Sequence, residues 1–282
     1  MSEISGRIFL VGCPRSGTTM LQTVLAAHPE VHSFPESRFY RNVVSQQKLL
    51  RHLGVASHHA HARLSEIYVE LGLDTGKLRR RFGVAGYARD LFAALDQAAL
   101  AAGKPFWLEK TPDHLDHVDA IQQVCPDARF VHLIREGKET VASLLDVTRQ
   151  YPDAWGREPW SVQRCVTRWC TDVAAALRLQ DCPGHLLVSY ERFVEAPEAE
   201  TQRLCTFLGL IFDPAMIARE SAVGEDVVLE SEPWKARSGG AIQAGQGKFE
   251  QLLTDVEREA VLAGLGELPE QLAAYFSKHP CR

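Results

Sequence analysis

The stretch Arg7–Thr19, RIFLVGCPRSGTT, decides how the rest of the chain is read. The apolar run Ile8-Phe9-Leu10-Val11 reads as a strand that ends at Gly12. A short turn containing Pro14, Arg15 and Gly17 follows, and from Thr18 to Ala27 apolar residues recur at helical spacing. Strand, tight loop and helix in that order build an anion cradle. The first backbone N–H groups of a helix have no partners within it, converge on one place, and are reinforced there by the helix dipole. An oxyanion fits at such a point.

The loop that binds nucleoside triphosphates reads G-x-x-x-x-G-K-[ST]. Gly12 and Gly17 have its spacing, but Thr18 stands where the lysine belongs. The basic group lies instead at Arg15, and Ser16, Thr18 and Thr19 add hydroxyl donors. In this setting PRSGTT resembles the 5′-phosphosulfate loop of sulfotransferases, which use 3′-phosphoadenosine 5′-phosphosulfate (PAPS) and release 3′-phosphoadenosine 5′-phosphate (PAP). The resemblance implies that Arg15, Ser16, Gly17, Thr18, Thr19 and Met20 bind the cofactor.

With 282 residues, 45% hydrophobic and 24% charged, the chain can build a sizeable core, as one large domain or two small ones. A net charge of −5 argues against a nucleic-acid partner, because a groove for phosphate backbones needs a basic excess. The short polar segment Met1–Gly6 is not a secretory signal, and no apolar run approaches the roughly 20 residues of a spanning helix. A soluble, cytoplasmic protein is expected. Seven scattered cysteines without C-x-x-C pairs read as reduced structural thiols.

Past the first helix, Val31–Phe34 reads as a second strand whose carboxyl end carries Pro35-Glu36-Ser37-Arg38. Ligands bind at that edge of open α/β sheets, so Glu36 is a candidate general base and Arg38 its orienting or substrate-binding partner. From Asn42 to Ala102 the pattern is helical, and a helical cap shaping an acceptor pocket is expected there. Its four histidines, His52, His58, His59 and His61, lack a completing Cys or Asp, so no metal is expected. Phe106-Trp107-Leu108 leads to Lys110 at another strand–helix junction, where Thr111 is placed to cap the next helix with Pro112 at its first position. Arg129–Ile134 has the continuous apolar character of a buried parallel strand, with Arg135 at its end and Ser143 about two turns into the following helix. The helix near Trp160 carries Val162, Val166, Trp169, Val173, Ala176 and Leu177 on one stripe, which assigns its tryptophans to the core. His185–Tyr190 is a further strand, and Tyr190-Glu191-Arg192-Phe193 opens the next loop. A Gly-rich segment, 230–249, reads as a linker or as a lid over a nucleotide.

These later segments extend the resemblance to nearly the whole chain. Arg135 with Ser143 is similar to the sulfotransferase site for the cofactor's 3′-phosphate, Tyr190-Glu191 to a common segment of the superfamily, and Gly247-Lys248-Phe249 stands where many members have G-R-W. The resemblance implies that Arg135, Ser143, Tyr190, Ser238, Gly247 and Lys248 complete the cofactor site. Glu36-Ser37-Arg38 is closest to the protein-tyrosine sulfotransferase type, whose base is a glutamate; His114, His117 and His132 stay open as alternatives.

The expected fold is α/β, a P-loop-type three-layer arrangement with a central parallel sheet flanked by helices and a helical cap near 42–102, forming a single domain over 1–282. The expected activity is in-line transfer of a sulfuryl group from PAPS to a small-molecule, sugar, lipid or peptide hydroxyl. Glu36 acts as base, Lys110 and Arg15 stabilise developing charge, and no metal takes part. A small-molecule kinase would need the loop lysine and a Mg²⁺-binding carboxylate after a strand. A non-catalytic nucleotide-binding protein would tolerate the loss of Glu36 and Lys110.

Overall fold

Four successive apolar residues cannot all face one core from a strand, because neighbouring side chains point to opposite faces. The computed structural model, which describes residues 3–218 and 247–279, shows where each goes. In β1 (Gly6–Gly12), Ile8 and Leu10 enter one apolar cluster while Phe9 and Val11 enter another. A strand buried on both faces belongs in the middle of a sheet. The five strands run in the order β2-β3-β1-β4-β5, all parallel, with β2 (Val31–Phe34), β3 (Phe106–Lys110), β4 (Arg129–Ile134) and β5 (His185–Ser189). Every carboxyl end therefore lies on one edge. The register sets Lys110 beside Leu10, Gly12 beside Leu133, and Phe34 beside Glu109.

The first helices are α1 (Thr18–Ala26), α2 (Phe39–Val43), α3 (Lys48–His52), α4 (Ala60–Glu70), α5 (Val84–Ala101) and α6 (Val118–Val124). They are followed by α7 (Gly137–Gln150), α8 (Val162–Arg178), α9 (Tyr190–Glu195), α10 (Pro197–Leu208), α11 (Ala215–Ala218), α12 (Lys248–Leu252), α13 (Asp255–Leu265) and α14 (Leu268–Lys278). Helices α1 and α10 cover the Ile8 face; α2, α4, α5 and α6 cover the Phe9 face. A third apolar cluster joins α7 and α8 to the three last helices around Trp169. This is the expected α/β sandwich. Among the described residues no helix is long and apolar enough to cross a membrane.

Several local expectations change. The helical stretch 42–102 is not only a cap, because α5 buries Leu91, Phe92 and Leu95 with Phe9 and Trp107 of the sheet. Thr111 does not cap the turn after it; its hydroxyl is drawn to Glu109 instead, 2.6 Å away. Tyr190 opens a helix rather than a loop. Trp169 is buried as expected, but Trp160 precedes α8, is only partly buried, and lines the large cleft at the sheet edge. Ser238 and most of the Gly-rich segment lie outside the described residues.

Candidate active site

The loop between β1 and α1 takes its shape from three positive φ angles. Gly12 (φ 153°) lies so close to β4 that a Cβ would meet the Leu133 carbonyl oxygen at 2.4 Å. Gly17 (φ 94°) lies over the Tyr190 ring, where a Cβ would stand 2.7 Å from two ring carbons. Arg15, with φ 73°, adopts a conformation that non-glycine residues rarely take. The Ser16 amide donates to the Cys13 carbonyl at 3.2 Å and closes the turn. Helix α1 then starts with no side-chain cap and no acid in its first turn, so its N–H groups remain available to an anion. The buried Ser16 Oγ has no hydrogen-bond partner among the described residues.

Cations converge on this loop. The Arg15 Nε lies 3.4 Å from Ser143 Oγ of α7. Burial and then the neighbouring Arg135 guanidinium push the Arg15 pKa below its ordinary value. Two like charges held together in a partly dry site fit an anionic ligand. Arg135 is fixed by the Tyr190 ring, its guanidinium carbon 4.4 Å from the ring centre, and approaches Glu139 at 3.9 Å. Its carbonyl accepts from the buried Trp169 indole at 3.0 Å, which ties the end of β4 to α8. Tyr190 thus supports both Gly17 and Arg135.

On the other side of the loop, Lys110 at the end of β3 is only 1% exposed. Its ammonium bonds the Glu36 carboxylate and lies 3.4 Å from Thr19 Oγ1. Arg38 approaches the second Glu36 oxygen at 3.6 Å and is half-exposed on the cleft wall. The structure thus places Glu36, Arg38 and Lys110 together beside the loop.

The residue that holds this group together was missed by sequence reasoning. Glu109 is buried, and its Oε1 accepts from the Ser37 amide (3.1 Å), the Ser37 hydroxyl (2.7 Å) and Thr111 (2.6 Å). Its Oε2 faces His114 Nδ1 at 2.9 Å. Burial alone would raise the Glu109 pKa, but His114 and the hydroxyl donors prevail and hold it below the usual carboxylate range. Thr111 Oγ1 also accepts from the Arg38 amide at 3.2 Å. From the opposite side, Arg63 of α4 donates to the Ser37 carbonyl at 3.1 and 2.9 Å. One signal was available: two consecutive ionisable residues, Glu109-Lys110, at the end of a strand otherwise made of Phe, Trp and Leu.

Arg15, Glu36, Arg38, Thr111, Arg135 and Ser143 line one cleft of about 2240 Å³, with Glu109 and Lys110 buried behind its surface. Its outer wall includes Asp113, Asp116 and His117, and Arg168, which links Asp113 (2.9 Å) to Asp172 (2.6 Å). Burial raises the Asp172 carboxyl to about 6 even against Arg168. Of the three alternative histidines, only His117 lines the cleft, and burial with neighbouring His114 lowers it to about 4, a weak base. His114 is buried against Glu109, and His132 is fully buried in β4, bonded to His185 at 2.9 Å. Lys248 lines the cleft beside Arg135 and Ser143, with its ammonium on Asp146 at 2.6 Å. Its amide donates to Glu139 at 3.0 Å, and Gly247 (φ 47°) starts α12.

Comparison with known proteins agrees with this architecture. A family model described as Sulfotransferase family matches residues 7–214. Protein-tyrosine sulfotransferase A of Caenorhabditis elegans is 24% identical over 272 residues, 95% of this chain and 63% of the worm protein. Nodulation protein NoeE of Sinorhizobium fredii is 32% identical over 225 residues, 74% of this chain and 51% of NoeE. The chain thus spans less than two thirds of either relative. The sulfotransferase domain of the Synechococcus PCC 7002 olefin synthase shares the fold with a TM-score of 0.64 at 21% identity, over 97% of this chain and 96% of that domain. Mouse SULT7A1 complexed with PAP aligns with a TM-score of 0.52 at 12% identity, over 93% of this chain and 83% of the mouse chain.

Proposed function

The chain belongs to the sulfotransferase family, and from that premise we propose that it transfers a sulfuryl group from PAPS to an acceptor hydroxyl. The observation that carries the reading is that Arg15, Ser143 and Arg135 line one cleft together with Glu36, whose carboxylate is bonded from behind by the buried Lys110. The unpartnered Ser16 hydroxyl and the open start of α1 support an anion at the loop.

In this reading Arg15, Ser16, Gly17, Thr18, Thr19 and Met20 hold the 5′ end of the cofactor. Arg135 and Ser143 take the 3′-phosphate, with Tyr190 fixing the guanidinium and Gly247 and Lys248 alongside. When bound, PAPS supplies the sulfuryl group. Glu36 accepts the acceptor's hydroxyl proton, with Arg38 orienting the carboxylate and contacting the acceptor. Lys110 and the first amides of α1 offset negative charge on the transferring group, and such fixed donors are typically worth about 3 kcal/mol each. Because each cation is held by packing before any ligand arrives, little reorganisation remains at the moment of transfer.

Free thiols at Cys13, Cys125, Cys165, Cys170, Cys182 and Cys205 support a reducing, cytoplasmic setting. Calorimetric titration with PAP, 5′-AMP and ATP tests the cofactor. PAP is expected to bind most tightly, and a preference for ATP overturns the reading.

A further inference from the structure

One face of the molecule is charged against the trend of the chain. Between Arg41 and Phe82 the sequence has eight Lys and Arg against three Asp and Glu, in a protein whose net charge is −5. Arg63 and Arg81 are ion-paired, with Glu66, Glu70 and Asp90. The other six, Arg41, Lys48, Arg51, Lys77, Arg79 and Arg80, are exposed and form no ion pair among the described residues. Elsewhere Arg149, Arg168, Arg203 and Lys248 each lie beside a carboxylate.

The same face presents large apolar side chains to solvent: Leu49 is 71% exposed, Leu53 64% and Phe82 82%. Backbone pairing brings them together. The Ala56 amide donates to the Phe82 carbonyl and the Val84 amide to the Gly54 carbonyl, both at 2.9 Å, while the Val55 amide reaches back to Leu50 at 2.9 Å. Helix α3 and the segment before α5 therefore form one ledge, and Arg41, Arg51, Leu53 and Gly83 of that ledge also line the rim of the cleft.

We propose that this ledge seats the protein on an anionic lipid surface, with the cleft opening toward the bilayer. Protruding Leu and Phe side chains enter the headgroup boundary, and the surrounding cations meet anionic headgroups, the two contributions that hold interfacial proteins on membranes. A second copy of the chain is a poor occupant, because a two-fold contact sets the same six cations against each other. An acidic polypeptide answers the charges but gives no reason for three apolar side chains to project beyond them. The proposal holds whichever group the cleft transfers, so it stands or falls apart from the sulfuryl-transfer reading.

Co-sedimentation of the full chain with vesicles of phosphatidylcholine, alone or mixed with phosphatidylglycerol, tests it. Binding is expected only to the mixed vesicles and falls with added salt. Arg79→Ser and Arg80→Ser should each weaken it about fivefold, the value of roughly 1 kcal/mol per cation near an anionic surface. Phe82→Ser should abolish the fraction that survives high salt. All three positions are exposed, so the fold is retained, which circular dichroism and an unchanged PAP affinity verify. Three results overturn the proposal: equal binding to both vesicle types, no binding to either, or binding indifferent to Phe82→Ser. Tighter retention by polyglutamate than by mixed vesicles reassigns the face to an acidic polypeptide. A concentration-dependent dimer lost in Phe82→Ser, seen by light scattering, reassigns it to self-association.

Discussion

The two walls of the cleft are built on opposite principles. Toward the sheet edge, ionisable groups are held: Glu36 is bonded by Lys110, which lies with Glu109 buried behind the surface at 1% exposure, Arg135 lies on the Tyr190 ring, and Arg15 is fixed by its left-handed backbone. Toward the helices of residues 41–82, the lining cations Arg41 and Arg51 stand in solvent without an ion pair among the described residues. Burying a charge costs several kcal/mol unless partners compensate, so the first wall can only suit a ligand whose charge pattern is fixed in advance. The second wall commits to no such pattern. In the proposed reaction the first wall takes the nucleotide and the second faces the acceptor. Substitutions should therefore act sharply on the first wall and gradually on the second.

The sharpest break expected is at Glu36. Glu36→Gln keeps the size and removes the proposed base, and turnover should fall about 10²- to 10⁴-fold, the usual range for a positioned proton acceptor. PAP affinity, read by calorimetry, should stay within about threefold, since the loop donors are untouched. If turnover survives, the proton goes elsewhere, and His117 is the one of the three alternative histidines that lines the cleft.

Next comes Glu109, which separates holding from reacting. Glu109→Ala strips acceptors from Ser37 and Thr111 and leaves His114 without its carboxylate, and should cost about 3–5 kcal/mol of stability by denaturant unfolding. The wild type also carries a pH signature. The folded pKa of Glu109 lies below its ordinary value of 4.5. Its stabilisation is therefore complete above that value and is lost as the pH falls through the folded pKa. Glu109→Gln should flatten the acid side of the thermal-stability curve below about pH 4.5, while the neutral side moves less.

Arg135→Ala tests whether the first wall reads two phosphates. Charge-assisted hydrogen bonds are worth about 1.5–3 kcal/mol, so PAP should bind roughly 10- to 100-fold more weakly while 5′-AMP is unchanged. An equal loss for both nucleotides would remove the 3′-phosphate from Arg135.

How much of this was legible in the sequence follows the same division. The loop could be read because its chemistry is local: Gly12, Arg15 and Gly17 set the backbone, and the apolar run before them has to be a central strand. Glu36, Lys110 and Arg135 could be read because a parallel sheet brings all strand ends to one edge. Glu109 could not, because its partner Ser37 lies 72 positions away and becomes a neighbour only when β2 pairs with β3. Thr111 misled for a related reason. A threonine before proline is a good helix cap in isolation, but a buried carboxylate two residues back competes for its hydroxyl and prevails. The second wall was unreadable because exposed Lys and Arg carry no periodic signal.

The smallest effect should lie where the two walls meet. Arg63 belongs to α4, yet its Nε and Nη2 donate to the Ser37 carbonyl while its Nη1 pairs with Glu66 and Glu70. It is thus a link by which the helices around the acceptor side reach the Glu36 loop. Arg63→Lys keeps the charge but loses the planar fork that grips one carbonyl with two donors. The loop keeps its Glu109 anchor, so stability should change by no more than about 1 kcal/mol, and PAP affinity should not change. What moves is the aim of Glu36, and since catalytic rate is sensitive to small misplacements, kcat should fall about 3- to 10-fold. An undiminished kcat would mean that Glu109 alone sets the loop and that the two walls are independent. A fall as large as that expected for Glu36→Gln would mean that the acceptor wall governs the base as strongly as the sheet does.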